Sequence, residues 1–380
     1  MDYSYEDCVK YINRGGNYNE LLNYIKFDLI YNDFVKKLFI NGVVEDENVL
    51  KHIIDNAITL ECEDNERMKP IHYICKYSTP EMTKYIIDKG VDLECVDDSG
   101  YKPIHYICWR STPKMIKYII DKKVDLECET HSKRKPIHLI CEYSTPEMIK
   151  YIIDKGVDLE CKDNQGWRPI HYICDKSKST PEMIKYIIDK GVNLECENDS
   201  KRRPIHYICE RSTPEMIKYI IDKDVNLECK DNSGYKPIHY ICFNSNSTPE
   251  MIKYIIDKGV DLECEDSRKS RPIHKICYYS TPEMIKYIID KGVELECETK
   301  YGKRPIHYLC LYSTLEMVKY IIDKGIELNF NDELQLENFI NKNNKLSIED
   351  KEEMIEYINK SKNIKNVMVK KAIKKMKIKS

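Results

Sequence analysis

Apolar positions along most of this chain fall into pairs of short helical stripes separated by polar breaks. Between Pro103 and Lys122, Ile104, Ile107 and Cys108 stand at i, i+3 and i+4, and Met115, Ile116, Ile119 and Ile120 repeat the same rhythm after a break. That spacing puts the apolar side chains on one face of a helix and predicts two short amphipathic helices in succession. Pro103 suits the first turn of the first helix, where its missing N–H would be unpaired anyway, and Thr112 followed by Pro113 is a start signal for the second. The predicted layout is a finger Val96–Lys102, a helix Pro103–Cys108, a link Trp109–Ser111 and a helix Thr112–Lys122.

The layout recurs. A block reading Lys/Arg-Pro-Ile-His-Tyr-Ile-Cys, with small variations, returns eight times, and its histidines His72, His105, His138, His171, His206, His239, His274 and His307 lie 33 or 35 residues apart. A helix pair this short cannot bury its apolar face alone, so the period predicts a solenoid in which each unit covers its neighbour. Function is then to be sought on a surface. Glycine follows the second helix in six of the eight units, as a left-handed C-terminal cap favours, whereas Lys123 and Asp224 take that place in the other two. Each is expected to cost its unit roughly 1 kcal/mol if held at positive φ.

These residues resemble the ankyrin repeat. Its TPLHLAA block is matched by KPIHYIC, and its second helix with the terminal GAD by STPEMIKYIIDKGVD, in all eight units from Glu63 to Leu328. The wording, rich in Ile, Lys, Asn and Tyr with near-identical units, is similar to ankyrin proteins of giant DNA viruses that infect amoebae. The resemblance implies an all-α, ankyrin-type solenoid of stacked helix-turn-helix repeats with short β-turn fingers. The expected organisation is an N-terminal helical cap at 1–30, a degenerate repeat at 31–62, eight regular repeats at 63–328, a degenerate C-terminal repeat or cap at 329–359 and a basic tail at 360–380. Two repeats carry a two-residue insertion between their helices, near Ser177-Lys178 and Ser245-Asn246, and a unit of duplication two repeats long accounts for their alternation.

Composition adds two constraints. The net charge of −3 conceals a tail with nine lysines and no acid from Lys360 to Ser380, which leaves about −12 on everything before it. The opening Met-Asp-Tyr-Ser-Tyr-Glu-Asp has neither a basic nor an apolar leader character, so reduced thiols and a cytoplasmic setting are expected, host cytosol if viral, with the nucleus reachable through the basic tail. No apolar run is long enough to span a membrane.

Of the 17 cysteines, sixteen fall two to a repeat, one after Leu-Glu and one closing the histidine block. Eight imidazoles among them raise the idea of zinc, but small buried positions suit free cysteine as an apolar filler, and packing is the expected role. Eight equal histidines do not make one active site, and phosphate-binding, dinucleotide and hydrolase signatures are missing from the sequence, so no catalysis and no cofactor are expected. In the family this histidine ties adjoining units together, which is the role the resemblance implies here. The family's threonine before proline is replaced by Lys69, Lys102, Lys135, Arg168, Arg203, Lys236, Arg271 and Arg304, which removes a capping hydroxyl. These bases form either a stripe for an acidic partner or, facing the row Glu61, Glu94, Glu127, Glu160, Glu195, Glu228, Glu263 and Glu296, a self-neutralised one.

What varies between repeats is more informative. Finger tips carry Tyr101, Arg134, Trp167, Arg202 and Tyr235, and the link after the first helix carries Trp109, Arg110, Tyr143, Arg211, Phe243, Tyr278 and Tyr279. In ankyrin proteins these positions line the concave side, and Tyr, Trp and Arg most often dominate interface energies. Drift at unconstrained positions would produce the same variation. The expected function is non-catalytic binding of a protein partner on that face by a monomer. The alternatives are association with nucleic acid or an anionic membrane through Lys370, Lys371, Lys374, Lys375 and Lys377, or service as an adaptor to a host ubiquitin ligase.

Overall fold

A computed structural model describes residues 51, 54–55, 60–61, 63–175, 180–244, 246–326 and 330–361, and among these there is no β-strand. The expected N-terminal cap at 1–30, nearly all of the degenerate repeat at 31–62, the first insertion and the five tail lysines lie outside the described residues. The chain divides into two compact units, Met1–Asn193 and Leu194–Ser380.

In the first unit the helix pairs are Pro70–Tyr77 with Pro80–Asp88, Pro103–Arg110 with Pro113–Asp121, Pro136–Tyr143 with Pro146–Ile153, and Pro169–Asp175 with Pro181–Asp189. In the second they are Pro204–Arg211 with Pro214–Ile221, Pro237–Phe243 with Pro249–Asp257, Pro272–Tyr279 with Pro282–Asp290, and Pro305–Tyr312 with Leu315–Asp323, followed by Phe330–Lys342 and a helix over 348–361. Within each unit, first helices pack on first helices and second on second. Their isoleucines are the core: Ile74, Ile107, Ile140, Ile208, Ile241 and Ile276 are wholly enclosed.

Proline starts both helices of the first seven pairs and the first helix of the eighth, and seven second helices are capped by a threonine whose hydroxyl accepts from the methionine N–H three residues on, as Thr112 does from Met115 at 3.3 Å. Six of the first helices run two residues further than the spacing predicts, and Pro169–Asp175 and Pro237–Phe243 run one further. Trp109 and Arg110 belong to the last turn, because nothing breaks the helix before Ser111, whose extended backbone donates its N–H back to Ile107 O at 2.9 Å. The link residues therefore project from a fixed helical turn.

Helix starts at Lys69 and its equivalents differ from expectation. The hydroxyl is gone, yet the N–H of each of the eight bases before proline donates to Nδ1 of the histidine three residues on, at 2.9 to 3.1 Å. The histidine N–H in turn reaches the carbonyl of the base, as His72 does Lys69 at 2.9 Å, so the turn is closed without a side-chain oxygen. Nε2 of the same rings faces a carbonyl 23 residues later. His72, His105, His138, His206 and His274 reach Cys95, Cys128, Cys161, Cys229 and Cys297 at 3.2 to 3.4 Å. One nitrogen accepting from an N–H and the other donating to a carbonyl defines a neutral imidazole with its proton on Nε2.

Successive fingers join by one backbone bond each: Asp98 to Glu66, His131 to Ser99 and Asn164 to Ser132 in the first unit, and Asn232 to Ser200, Ser267 to Ser233 and Lys300 to Arg268 in the second, at 2.7 to 2.9 Å. Second helices join through tyrosine: Tyr85 donates to Asp55, Tyr151 to Asp121 and Tyr320 to Asp290 at 2.6 to 3.1 Å.

Two predictions follow from this framework of caps and rings. Lys123 and Asp224 adopt φ of 62° and 57° at the helix C-termini where glycine stands elsewhere. Lys123→Gly and Asp224→Gly should each raise the unfolding free energy by about 1 kcal/mol in urea titration, and an unchanged or lower midpoint would show that these positions carry no strain. Burial pushes the imidazoles of His105 and His239 down from 6.5 to about 4. The unfolded chain takes up these protons first, so stability is complete above the ordinary histidine pKa and is lost as pH falls toward 4. At pH 5 each of the two rings should cost about 2 kcal/mol relative to pH 7, with His72, His138, His206 and His274, also lowered by burial, acting in the same direction. A melting temperature that does not fall between pH 7 and 5 would contradict the neutral, buried assignment.

Candidate protein-binding face

The residues that recur in every repeat are occupied with holding the repeat. Each base before proline meets the glutamate eight residues earlier: Lys69 with Glu61, Lys102 with Glu94, Lys135 with Glu127 and Arg168 with Glu160 at 2.7 to 3.1 Å, and Arg203, Lys236, Arg271 and Arg304 with Glu195, Glu228, Glu263 and Glu296. The second carboxylate oxygen accepts a backbone N–H from the following repeat, as Glu127 does from Asp158 at 3.1 Å and Glu263 from Glu294 at 2.9 Å. The basic stripe is thus neutralised and works as a clip between repeats. Such half-exposed pairs contribute about 0 to 1 kcal/mol each. The described cysteines are all buried free thiols. Burial pushes those of Cys95, Cys128 and Cys161 up to about 12, which keeps them protonated and poor as nucleophiles or ligands.

A column the sequence reading passed over sets the finger tips. Asp97 is buried, and its Oδ1 accepts from the N–H groups of Ser99 and Tyr101 at 2.9 and 2.8 Å while Oδ2 accepts from the Tyr106 hydroxyl at 2.5 Å. Asp163 holds Gln165, Trp167 and Tyr172 in the same way, and Asp231 holds Ser233, Tyr235 and Tyr240. Asn198 and Thr130 stand in this column before Arg202 and Arg134. A Cys-x-Asp/Asn/Thr pattern stands in the sequence of each repeat, but its meaning depends on the finger closing over it.

In the first unit Tyr101, Arg134 and Trp167 come together around a cleft of about 530 Å³ that Glu142, Asp163, Tyr172 and Asp175 also line. Arg134 pairs with Glu142 and lies over the Tyr172 ring, its Cζ 5.2 Å from the centroid. Trp167 tilts against Tyr172 with centroids 5.0 Å apart. Trp109, Arg110 and Tyr143 form a neighbouring cluster, with Arg110 4.8 Å above the Trp109 ring and Trp109 6.2 Å from Tyr143.

The second unit repeats the arrangement. Arg202 pairs with Glu210 at 2.6 Å and stacks between Tyr207 and Tyr240 at 3.9 and 4.6 Å, with Tyr235 5.5 Å from Tyr240. Tyr278 contacts both Tyr279 and Tyr312 at 4.1 Å, and Tyr278 and Tyr279 are exposed. Arg211 is exposed and lies 3.6 Å from Glu210. Phe243 ends its helix, and its side chain lies outside the described residues, as do Lys370, Lys371, Lys374, Lys375 and Lys377. No group of metal-ligating side chains occurs among the described residues, nor a helix long and apolar enough to cross a membrane.

The chain belongs to the ankyrin repeat family. The family model for ankyrin repeats in three copies matches residues 33–130, 111–197, 174–266 and 240–332, which together run through most of the sequence. Proteins of this class are generally modules for protein–protein interaction and not enzymes. Solved structures of 520 chains match, among them the human ASB11 ankyrin repeat domain, 17% identical, with a TM-score of 0.46 over 54% of this chain and 90% of that one. Comparison with curated proteins finds no match.

Replacing Asp163 by alanine strands two backbone donors and the Tyr172 hydroxyl, and should cost about 2–3 kcal/mol in urea titration. In a Trp109→Phe background the Trp167 emission should shift to the red as its finger loosens. Unchanged stability and emission would show that the carboxylate does not organise the tip.

Proposed function

We propose that this protein is a non-catalytic, monomeric interaction scaffold that holds a protein partner against its finger tips and the ends of its first helices, the concave face expected of an ankyrin stack. One observation carries the proposal. In each unit the Tyr, Trp and Arg that vary between repeats gather into clusters at the finger tips and first-helix ends, whereas the recurring histidines and cysteines are buried and the recurring bases before proline are paired with glutamate. Large amphipathic rings held by buried carboxylates present contact area that is already ordered, so little rotamer entropy is lost on association. The setting proposed is the cytoplasm, with a host protein as the target if the chain is viral.

Partner capture from cell lysate at moderate salt tests this with the intact chain, a Tyr101→Ser, Trp167→Ser, Tyr235→Ser variant, and a form ending at Asn359. The triple variant should lose the partner, while the shortened form should keep it. Loss with the shortened form alone, together with a steep salt dependence, would instead assign binding to the lysine tail.

A further inference from the structure

The cleft in the first unit has a chemistry of its own. Its aromatic walls are Tyr101, Trp167 and Tyr172, and its carboxylates are Glu142, Asp163 and Asp175, against one lining cation, Arg134. Arg134 shows how positive charge is received there. Its guanidinium lies over the Tyr172 ring within cation–π distance and is paired at its end by Glu142. One cation set against three carboxylates leaves the lining with a formal charge of −2. From this we infer that the cleft receives a lysine or arginine side chain from a basic segment of the protein partner.

The inference rests on the protein-binding reading and names the chemistry of what is bound. A cation entering the cleft beside its aromatic walls gains ring attraction and carboxylate attraction together, whereas an acidic side chain would meet like charge. The cleft, at about 530 Å³, exceeds what one long side chain fills and is of the size that takes a side chain with its neighbours on the chain. Ser132 and Gln165 at its lining, neutral and able both to donate and to accept, suit the backbone of a peptide better than they suit a free polyamine.

The chain contains its own contrast. Arg134, Glu142, Asp163 and Tyr172 recur 68 residues later as Arg202, Glu210, Asp231 and Tyr240, but the position of Asp175 is taken by Phe243. The substitution removes one carboxylate from the second set, so the preference for a cation belongs to the first cleft. Asp175→Phe gives the first set the carboxylate complement of the second.

Fluorescence anisotropy of two labelled peptides with the intact chain at moderate salt tests the inference. One is Gly-Ser-Gly-Arg-Lys-Arg-Gly-Ser-Gly, and the other has glutamine at the three basic positions. The basic peptide should bind at least about tenfold more tightly than its glutamine counterpart. Asp175→Phe and Trp167→Ser should each erase most of that difference, Ile348→Ser at an exposed position of the other unit should leave it intact, and urea titration should show each variant folded. Equal binding of the two peptides, or an Asp175→Phe variant that still discriminates, overturns the inference. Spermine displacing the basic peptide at equal charge concentration also overturns it, in favour of a free polyamine. Selection from a displayed peptide library separates the two levels of failure. Ligands without Lys or Arg that still require Tyr101 and Trp167 would sink the cationic occupant and leave the interaction scaffold standing, whereas no ligand depending on either residue would sink both.

Discussion

Everything in this fold hangs on a neutral imidazole buried at the start of each first helix. Its Nδ1 closes the helix against the N–H of the preceding base, and in five repeats its Nε2 reaches a cysteine carbonyl 23 residues further on. A single side chain thereby joins the beginning of a repeat to its exit, where the next finger starts. In those five repeats both nitrogens are committed to backbone, and the ring has no free lone pair to offer a metal. The recurrence that first suggests chemistry is the signature of a joint.

The charged rows follow the same logic. A base before proline is unfavourable at a helix N-terminus, yet each is met by a glutamate whose other oxygen, in several repeats, binds the next repeat. Charge that could have served as a nucleic-acid track is used up between repeats. What differs from one repeat to the next is the set of tip and first-helix side chains. Buried carboxylates such as Asp97, Asp163 and Asp231 fix the tips, and the rings and guanidinium groups of neighbouring repeats lean on one another. The proposed recognition face would thus stand on a frame that does not depend on it.

Most of the fold was legible because the period is a property of sequence alone. Ile104, Ile107, Met115 and Ile119 announce two helices by spacing, and Pro103, Thr112 and Pro113 mark where they begin. Less legible was whatever depends on one repeat meeting another. The helix runs on through Trp109 and Arg110 because no residue there opposes it, and the missing threonine hydroxyl is made good by a histidine nitrogen that only the folded turn brings into reach. The eight-residue spacing of the glutamate and base rows suggested neutralisation, but the bond from glutamate to the next repeat did not show in it. The cleft residues Tyr101, Arg134 and Trp167 were singled out by type and position, whereas Tyr172 and Asp163 were hidden among recurring residues and gain their place in the site only through the register of neighbouring repeats.

The division between frame and recognition is open to one direct measurement: a substitution scan of the intact chain, scored in parallel for folding by protease resistance and for retention of the captured partner. Substitutions at the recurring histidines and at Asp97, Asp163 and Asp231 should lower folding, with binding falling only in step. Those at Tyr101, Arg134, Trp167, Arg202, Tyr235 and Tyr279 should leave folding near normal and reduce binding. If binding instead tracked the recurring residues at constant folding, or ignored the variable ones, the face described here would not be where this protein meets its partner.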